Sequence, residues 1–229
     1  MTVLVVTGTG TEIGKTIVTA AVAAVRPDRS VAVLKPAQTG LAPDEPGDAA
    51  EAARLAGDHV TAVELARFPE PLAPATAARR AGLPPVRPYE IADAAEKLAT
   101  EHDLVLIEGA GGLLVRFDDE GATLADAARL LAAPVLVVTP AGLGTLNTAA
   151  LTSEALRARG LECRGLVVGS MPAEPDLAAR CNLVDLPVVT GAPLLGAVPA
   201  GAGALAPADF RARSGSWLAA ELGGTRPPG

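Results

Sequence analysis

Short apolar runs alternate with segments of helical composition along this chain. Six runs of four to six residues, rich in Val, Leu and Ala, are bounded by glycine, proline or charged residues, as buried strands are. They lie at 3–6, 30–34, 103–108, 134–139, 165–169 and 193–198. The helical segments lie at 16–25, 49–56, 89–100, 123–131, 145–159 and 209–222. Strands that alternate with helices predict an α/β fold, in which a mostly parallel, doubly wound sheet has helices on both faces.

The division of the chain is simple. No internal repeat or long linker interrupts it, so we expect a single domain over residues 1–222 and a disordered tail at 223–229. Residues 37–48 form a loop by composition. Residues 60–88 are rich in Pro, Ala and Arg, which predicts short strands or turns and a brief helix. That stretch could be a wall of a pocket or a surface flap.

The clearest chemistry follows the first strand, at residues 8–16, which read Gly-Thr-Gly-Thr-Glu-Ile-Gly-Lys-Thr. A strand, a glycine loop, Lys-Thr and a helix form a phosphate cradle, because backbone N–H groups and the helix N-terminus attract an anion. Lys15 would reach the β- and γ-phosphates, and the Thr16 hydroxyl would face Mg²⁺. Gly8 lies one residue too early for the usual spacing, and Thr9 holds the expected glycine position. We therefore interpret the segment as a P-loop one residue longer than usual, in a P-loop NTPase-like fold; a chance Gly-Lys-Thr after an ordinary turn is the alternative.

Composition narrows the choice of partners and compartment. The chain has 229 residues, a net charge of −7 and two cysteines, and 49% of its residues are hydrophobic. The negative charge argues against nucleic acid and anionic membrane surfaces as partners. Neither an export signal nor a membrane span is evident, and the cysteines are too few for a disulfide scaffold, so we expect a cytoplasmic protein. Only three lysines accompany sixteen arginines, and two of them, Lys15 and Lys35, lie in candidate site segments.

Three further polar residues lie near predicted strand ends or loop ends, where parallel sheets bind ligands. Glu108 ends an apolar strand and is followed by small residues, which favours a Mg²⁺ ligand over a solvated rim residue. Asp48 is a natural N-cap for the helix at 49–56, with Glu51 completing a capping box, and capping alone would explain it. Lys35 precedes a proline at a strand exit and could pair with an anionic substrate or be a surface charge.

Four segments together resemble the dethiobiotin synthetase family. The loop at 8–16 is similar to the family's extended P-loop at its first glycine, Thr11, Glu12 and Gly-Lys-Thr. Lys-Pro-Ala-Gln-Thr-Gly at 35–40 resembles its Lys-Pro-x-x-[ST]-Gly segment, and Glu-Gly-Ala-Gly-Gly at 108–112 matches another motif. Gly-Leu-Gly-Thr-Leu-Asn at 142–147 matches its loop-to-helix signature. The segments occur in the family's order over essentially the whole chain.

The resemblance implies an ATP- and Mg²⁺-dependent cyclo-ligase of biotin biosynthesis. CO₂ and 7,8-diaminononanoate would form a carbamate, the γ-phosphoryl group would move to it, and the second amine would close a cyclic urea. Lys15 and Lys35 would be catalytic, and Mg²⁺ would be held by Thr16, Asp48 and Glu108. The diamine or its carbamate would meet Thr11, Thr39 and Gly111. The nucleotide would be bound by Glu12, Ile13, Gly14, Lys15, Thr16, Ile17, Asp48, Glu108, Gly109, Ala110, Gly111, Gly169, Ser170, Pro199, Ala200 and Gly201.

The resemblance also implies a homodimer with the substrate site at its interface. Leu143, Leu146 and Asn147 would grip the substrate in the partner's site, although Leu146 could equally be a core residue. At Gly169 and Ser170 this chain has Gly-Ser where some members carry Asn, which predicts that the base is contacted mainly through backbone and that ATP is weakly distinguished from other triphosphates.

Two other classes of protein remain as alternatives. A cobyrinate-type amidase would need a glutamine-hydrolysing domain with a nucleophilic cysteine, and Cys163 and Cys181 lack such a setting. A partitioning or cell-division ATPase would carry a second lysine at the start of the P-loop, where this chain has Thr9 and Gly10.

Overall fold

Seven strands form one sheet in which every neighbouring pair is parallel. The computed structural model describes residues 2–226. The strands are β1 Val3–Gly8, β2 Val31–Thr39, β3 Val60–Phe68, β4 Leu104–Gly112, β5 Val135–Thr139, β6 Cys163–Met171 and β7 Leu194–Pro199. Their order across the sheet is β3-β2-β4-β1-β5-β6-β7. The chain therefore starts in the middle, places β2 and β3 on one side, returns to insert β4 between β2 and β1, and then adds β5, β6 and β7 on the other side. This order confirms the predicted doubly wound α/β fold.

Eight α-helices cover the two faces of this sheet. They are α1 Lys15–Ala24, α2 Asp48–Ala56, α3 Pro74–Ala81, α4 Pro88–Glu101, α5 Leu124–Leu130, α6 Thr145–Ala158, α7 Leu177–Thr190 and α8 Pro207–Trp217. One apolar cluster packs α1, α2 and α8 against one face of the sheet. A second cluster packs the five helices from α3 through α7 against the other face. Both cores are built mainly from Ala, Val and Leu. None of the helices within residues 2–226 is long and apolar enough to span a membrane.

The strand residues alternate between the two cores. Leu4 and Val6 of β1 pack in the cluster with α1, whereas Val5 between them packs in the other cluster. Because successive side chains of a strand point to opposite faces, a strand covered on both sides must be apolar throughout. This double burial is why these strands appear in the sequence as unbroken apolar runs.

Several predicted element boundaries are wrong. The loop assigned to residues 37–48 starts late, because β2 continues through Thr39 and pairs with β3. Residues 60–68 form one nine-residue strand. Helix α7 has no counterpart in the sequence reading, because its exposed side also carries apolar residues, including Leu177, Val184 and Val188, and hides the helical period.

The end of the chain differs in the same way. Helix α8 ends at Trp217, and Leu218 pairs with Gly196 of β7, so the single helix predicted over 209–222 is interrupted. Residues 223–226 lie in the segment expected to be a disordered tail, but backbone hydrogen bonds join Thr225 to Gly215 and Arg226 to Leu218. Residues 227–229 of that tail lie outside the described residues.

Candidate active site

The P-loop lies between β1 and α1, at the carboxyl edge of the sheet beside the point where strand order reverses. Glu12 and Gly14 both have a positive φ, of 56° and 91°, which turns the loop back towards the helix start. Gly14 also lies directly against Gly169 at the end of β6. A Cβ at Gly14 would be 2.3 Å from the Gly169 oxygen, and a Cβ at Gly169 would be 2.0 Å from the Ile13 oxygen. The loop and β6 thus approach so closely that neither position has room for a side chain.

Lys15, the first residue of α1, folds back over this loop. Its Nζ donates a hydrogen bond to the Gly10 oxygen at 2.8 Å, and the residue is buried. Burial lowers the pKa of Lys15, and the nearby positive charge of Lys35 lowers it further, while Glu108 and Asp48 oppose the change. A polyphosphate placed in the loop would be a negatively charged partner for Lys15 and would stabilise its charged form.

Four polar side chains from four different elements meet beside this loop: Lys35, Asp48, Glu108 and Thr16. The Lys35 Nζ lies 3.0 Å from Glu108 Oε1, donates to the Gly109 oxygen at 3.1 Å and forms an ion pair with Asp48. The Thr16 hydroxyl donates to the same Glu108 oxygen at 2.9 Å. Burial opposes the charged form of Lys35, but the two carboxylates outweigh it and raise the pKa of the lysine. Lys35 is therefore a buried cation at the centre of this site and not a surface charge.

Asp48 does not cap its helix, although its place in the sequence allows that interpretation. The N-cap of α2 is Gly47, which has no side chain that could cap the helix, and Asp48 is the first helical residue. Glu51 pairs with Arg54 and so completes no capping box. The capping interpretation is wrong because Asp48 faces Lys35 instead of its own helix N-terminus.

Gln38 is a site residue that the sequence reading missed. Its Oε1 accepts a hydrogen bond from the Asp48 N–H at 2.8 Å, and its side chain is buried at the end of β2. Gln38 lies inside the segment 35–40 that carries the family resemblance. Its place in that segment is the one feature of the sequence that could have indicated a site residue. Its contact depends on a strand end that the loop-like composition concealed.

The Glu108 carboxylate has one oxygen left over. Glu108 is 1% exposed, and its Oε2 has no hydrogen-bond partner among the described residues. A buried carboxylate oxygen without a partner is costly, and a cation would satisfy it. The available oxygens belong to two carboxylates and one hydroxyl, and no group of three or more His, Cys, Asp or Glu within residues 2–226 could hold a metal alone. That set fits Mg²⁺, which usually binds one or two carboxylates together with substrate phosphates.

A single pocket of about 820 Å³ connects these groups. The candidate residues on its lining are Thr11, Glu12, Ile13, Gly14, Lys15, Thr16, Ile17, Lys35, Thr39, Asp48, Glu108, Ala110 and Gly111. Its remaining wall includes residues 71–74, which run from the turn after β3 to the first residue of α3, with Leu41 and Val115. Part of the stretch at 60–88 is therefore a wall of the pocket.

The other candidate residues lie outside this lining. Gly109 precedes it in β4 and accepts from Lys35. Ser170 near the end of β6 and residues 199–201 at and after the end of β7 are exposed. The Ala200 N–H bonds to the Met171 oxygen and joins the two strand ends. Leu143 is 94% exposed, and Asn147 is exposed at the start of α6. Leu146 is partly buried and packs against the core.

Solved structures with this architecture include a cell-division protein complex and a ParA family ATPase. A MinC:MinD complex from Aquifex aeolicus superimposes with a TM-score of 0.59 at 15% identity, covering 93% of this chain and 86% of that one. A ParA family ATPase from Chlorobium tepidum TLS gives 0.55 at 15% identity, covering 92% and 90%. At such identities the likeness concerns the fold alone. A family model described as an AAA domain matches residues 2–205, so the molecule is a P-loop domain of that class.

Sequence relatives narrow this class. The ATP-dependent dethiobiotin synthetase BioD of Streptomyces avermitilis is 71% identical over 227 residues, covering 98% of this chain and 95% of the relative. The protein of the same name from Saccharopolyspora erythraea is 70% identical over 224 residues, covering 98% of each chain. The one from Rhodococcus jostii is 60% identical and covers 95% of each. The chain belongs to the ATP-dependent dethiobiotin synthetase family.

Proposed function

We propose that this chain uses ATP to close 7,8-diaminononanoate and CO₂ into the cyclic urea dethiobiotin, a step of biotin biosynthesis. Its family supplies the ATP dependence and the product. The observation that carries the proposal is that a P-loop, two lysines and two carboxylates line the same pocket. This combination suits phosphoryl transfer, in which positioning and charge neutralisation supply most of the catalysis.

The reaction proceeds through two intermediates. One amine adds to CO₂ and loses a proton, which gives a carbamate. A carbamate oxygen attacks the γ-phosphorus, and the bond from that phosphorus to the β-phosphate oxygen breaks. This step releases ADP and forms a carbamic-phosphoric anhydride. The second amine then attacks the carbonyl carbon and expels inorganic phosphate, which closes the ring.

The two lysines carry the catalytic roles in this proposal. Lys15 holds the β- and γ-phosphates, and Lys35 holds the carbamate and the transferring phosphoryl group, where negative charge develops. The pKa of Lys35 is raised by Glu108 and Asp48, so it remains a cation at physiological pH. Its burial strengthens every charge interaction that it makes.

Thr16, Asp48 and Glu108 would hold Mg²⁺. The support is the partnerless Glu108 Oε2, the neighbouring Thr16 hydroxyl, and a ligand set too small for a metal without substrate phosphates. A bound Mg²⁺ would neutralise phosphate charge and orient the γ-phosphoryl group.

The remainder of the pocket offers separate surfaces to the two substrates. We assign Thr11, Thr39 and Gly111 to the diamine end or its carbamate, and the apolar wall at 71–74 faces the same space. Glu12, Ile13, Gly14 and Ile17 line the phosphate side. The base would lie outside the pocket against Gly169, Ser170, Pro199, Ala200 and Gly201. Because these residues have small side chains and would contact the base mainly through their backbone, we expect weak discrimination between nucleoside triphosphates.

We assign the complete site to a cytoplasmic homodimer. Leu143 and Asn147 lie outside the pocket of their own protomer and are exposed, as residues serving a second protomer would be. Apolar residues on the outer sides of α6 and α7, such as Leu151, Val184 and Val188, are also exposed and suit an interface.

The direct test is a product assay. Purified protein is incubated with ATP, Mg²⁺, bicarbonate and 7,8-diaminononanoate, and phosphate release and product mass are followed together. We expect ADP formation that requires the diamine, and a product with the mass of the cyclic urea. ATP hydrolysis indifferent to the diamine, or no hydrolysis, would contradict the proposal.

A further inference from the structure

The acidic loop, residues 41–47, leads directly into Asp48 and is held by a side chain from β3. Arg67 Nη1 donates to the Ala42 oxygen at 2.8 Å and to the Glu45 oxygen at 2.6 Å. The two carbonyls lie three residues apart, so one guanidinium spans most of the loop. Backbone contacts of this kind fix the path of a loop more firmly than contacts to its exposed side chains.

A second residue of β3 orients this guanidinium. Glu64 accepts from Arg67 Nε at 3.0 Å and from Nη2 at 2.8 Å, in a bidentate pair whose side chains are only 20% and 24% exposed. Because all three guanidinium nitrogens of Arg67 donate hydrogen bonds, the direction of the side chain is fixed. The pair therefore acts as a rigid bracket on the edge strand.

The end of the loop is packed under this bracket. A Cβ at Gly47 would lie 2.1 Å from Glu64 Oε1 and 2.9 Å from Arg67 Nη2. The next residue, Asp48, is held by Gln38, which pairs in register with Arg67 across β2 and β3. Bracket, loop and carboxylate thus form one continuous chain of contacts that ends at Lys35.

We propose that Arg67 is a positioning residue that, with Glu64, holds the acidic loop so that Asp48 stays beside Glu108 for the metal-bound nucleotide. This inference rests on the proposed role of Asp48 as a Mg²⁺ ligand. Arg67 itself lies outside the pocket lining. Its removal should therefore affect the contribution of Mg²⁺ to nucleotide binding, and not the contacts of the P-loop with the phosphates.

The test measures ATP affinity with excess Mg²⁺ and with excess EDTA, by displacement of a fluorescent ATP analogue from the full-length chain. In Arg67→Met, we expect the factor by which Mg²⁺ tightens ATP binding to fall about tenfold, the size typical of losing a group that orients a metal ligand. Affinity in EDTA should stay unchanged. Arg67→Lys keeps the charge but loses the fork, and should recover only part of the factor.

Two other variants make the comparison specific. Arg54→Met removes a matched bidentate pair, because Arg54 bonds Glu51 at 2.7 and 2.6 Å with the same spacing of three residues, on the helix that Asp48 begins. It should leave the Mg²⁺ factor unchanged. Glu64→Gln weakens the bracket without touching Asp48 or Gln38, because the amide oxygen can accept only one of the two hydrogen bonds that Arg67 donates to the carboxylate. It should lower the factor in the same direction as Arg67→Met, so the inference is tested even where Arg67→Met folds poorly.

Asp48→Asn separates this inference from the proposed function. If Asp48→Asn lowers the Mg²⁺ factor and neither Arg67→Met nor Glu64→Gln does, the positioning role is wrong and the metal role of Asp48 survives. If Asp48→Asn leaves the factor intact, both fail. Equal losses in EDTA and in Mg²⁺ would show general damage to the nucleotide site and would also overturn the positioning role.

Discussion

Lys35 carries its charge in a place where three different partners need it. It neutralises the buried Glu108, pairs with Asp48 and faces the pocket in which negative charge would develop during phosphoryl transfer. A lysine suits this position because its compact ammonium can move between acceptors, whereas the planar fork of an arginine needs a fixed bidentate geometry. The raised pKa keeps it charged while it does so.

Replacing Lys35 with methionine should strongly reduce turnover while the chain keeps its fold. We expect kcat to fall about 10²- to 10³-fold, as when one group that stabilises transition-state charge is lost. Stability should fall by about 3 kcal/mol, because Glu108 loses its buried cation. Turnover is measured by phosphate release below the unfolding temperature of the variant. Lys97→Met is the control, since Lys97 is exposed on α4; near-normal turnover in Lys35→Met would rule out the catalytic role.

The contact between Gly169 and the P-loop makes a second prediction at this scale. In Gly169→Ala, the added Cβ would lie 2.0 Å from the Ile13 oxygen, so the loop must move. We expect ATP affinity to fall about tenfold or more, because small displacements of positioning groups are costly. Binding is measured by isothermal titration calorimetry.

Gly215→Ala in α8 is the control for this substitution. A Cβ at Gly215 would meet only Thr225 Oγ1, at 3.8 Å. That variant should bind ATP normally. Unchanged ATP binding in Gly169→Ala would mean that β6 yields and that the P-loop does not depend on it.

At the scale of elements, the turn at residues 118–122, behind the pocket wall, is fixed by one buried carboxylate, that of Asp118. Asp118 accepts from the Ala122 N–H and from Arg87 Nη1, both at 2.9 Å, and Arg87 lies at the start of α4. The same turn reaches the wall, because the Ala75 N–H of α3 bonds to the Arg116 oxygen. Burial opposes the ionised form, but these hydrogen bonds and the Arg87 charge lower the pKa of Asp118.

Asp118 should therefore contribute acid-sensitive stability. Because its pKa is lower in the folded chain, its contribution is fully present above the ordinary value of 3.8 and is lost as pH falls through the lowered pKa. We expect Asp118→Asn to lose about 2 kcal/mol at pH 7, and this difference from the natural chain to shrink below pH 4. Urea unfolding at several pH values measures it. A difference that stays constant down to pH 3 would contradict the assignment.

The elements also show what sequence can and cannot predict here. The glycine loop and the six apolar strands depend on local pattern, so residues 8–16 and the doubly wound sheet are predictable. The ion cluster is different, because Lys35 and Glu108 lie 73 residues apart and meet only when β2 and β4 pair. For Asp48 the sequence leaves two interpretations open, because a side chain at a helix start looks the same whether it caps that helix or faces a distant lysine.

At the scale of the whole molecule, an acidic chain still brings positive side chains to the place where phosphate would bind. The net charge is −7, yet the pocket gathers Lys15 and Lys35 from the only three lysines of the chain. The same sheet edge that brings these residues together leaves Leu143 and Asn147 exposed at the start of α6, away from the pocket. Neither residue therefore lines the pocket of the chain that carries it.

Mixing two inactive variants tests whether those residues serve a second protomer. In a mixed dimer of Lys35→Met with Asn147→Ala, one site would combine an intact Lys35 with the intact Asn147 of its partner, and the other site would lack both. Random exchange makes half of the dimers mixed, each with one active site of two, so we expect about one quarter of natural activity to return. If Asn147 instead served its own protomer, every site in the mixture would lack one of the two residues. Activity after mixing would then stay at the level of the separate variants.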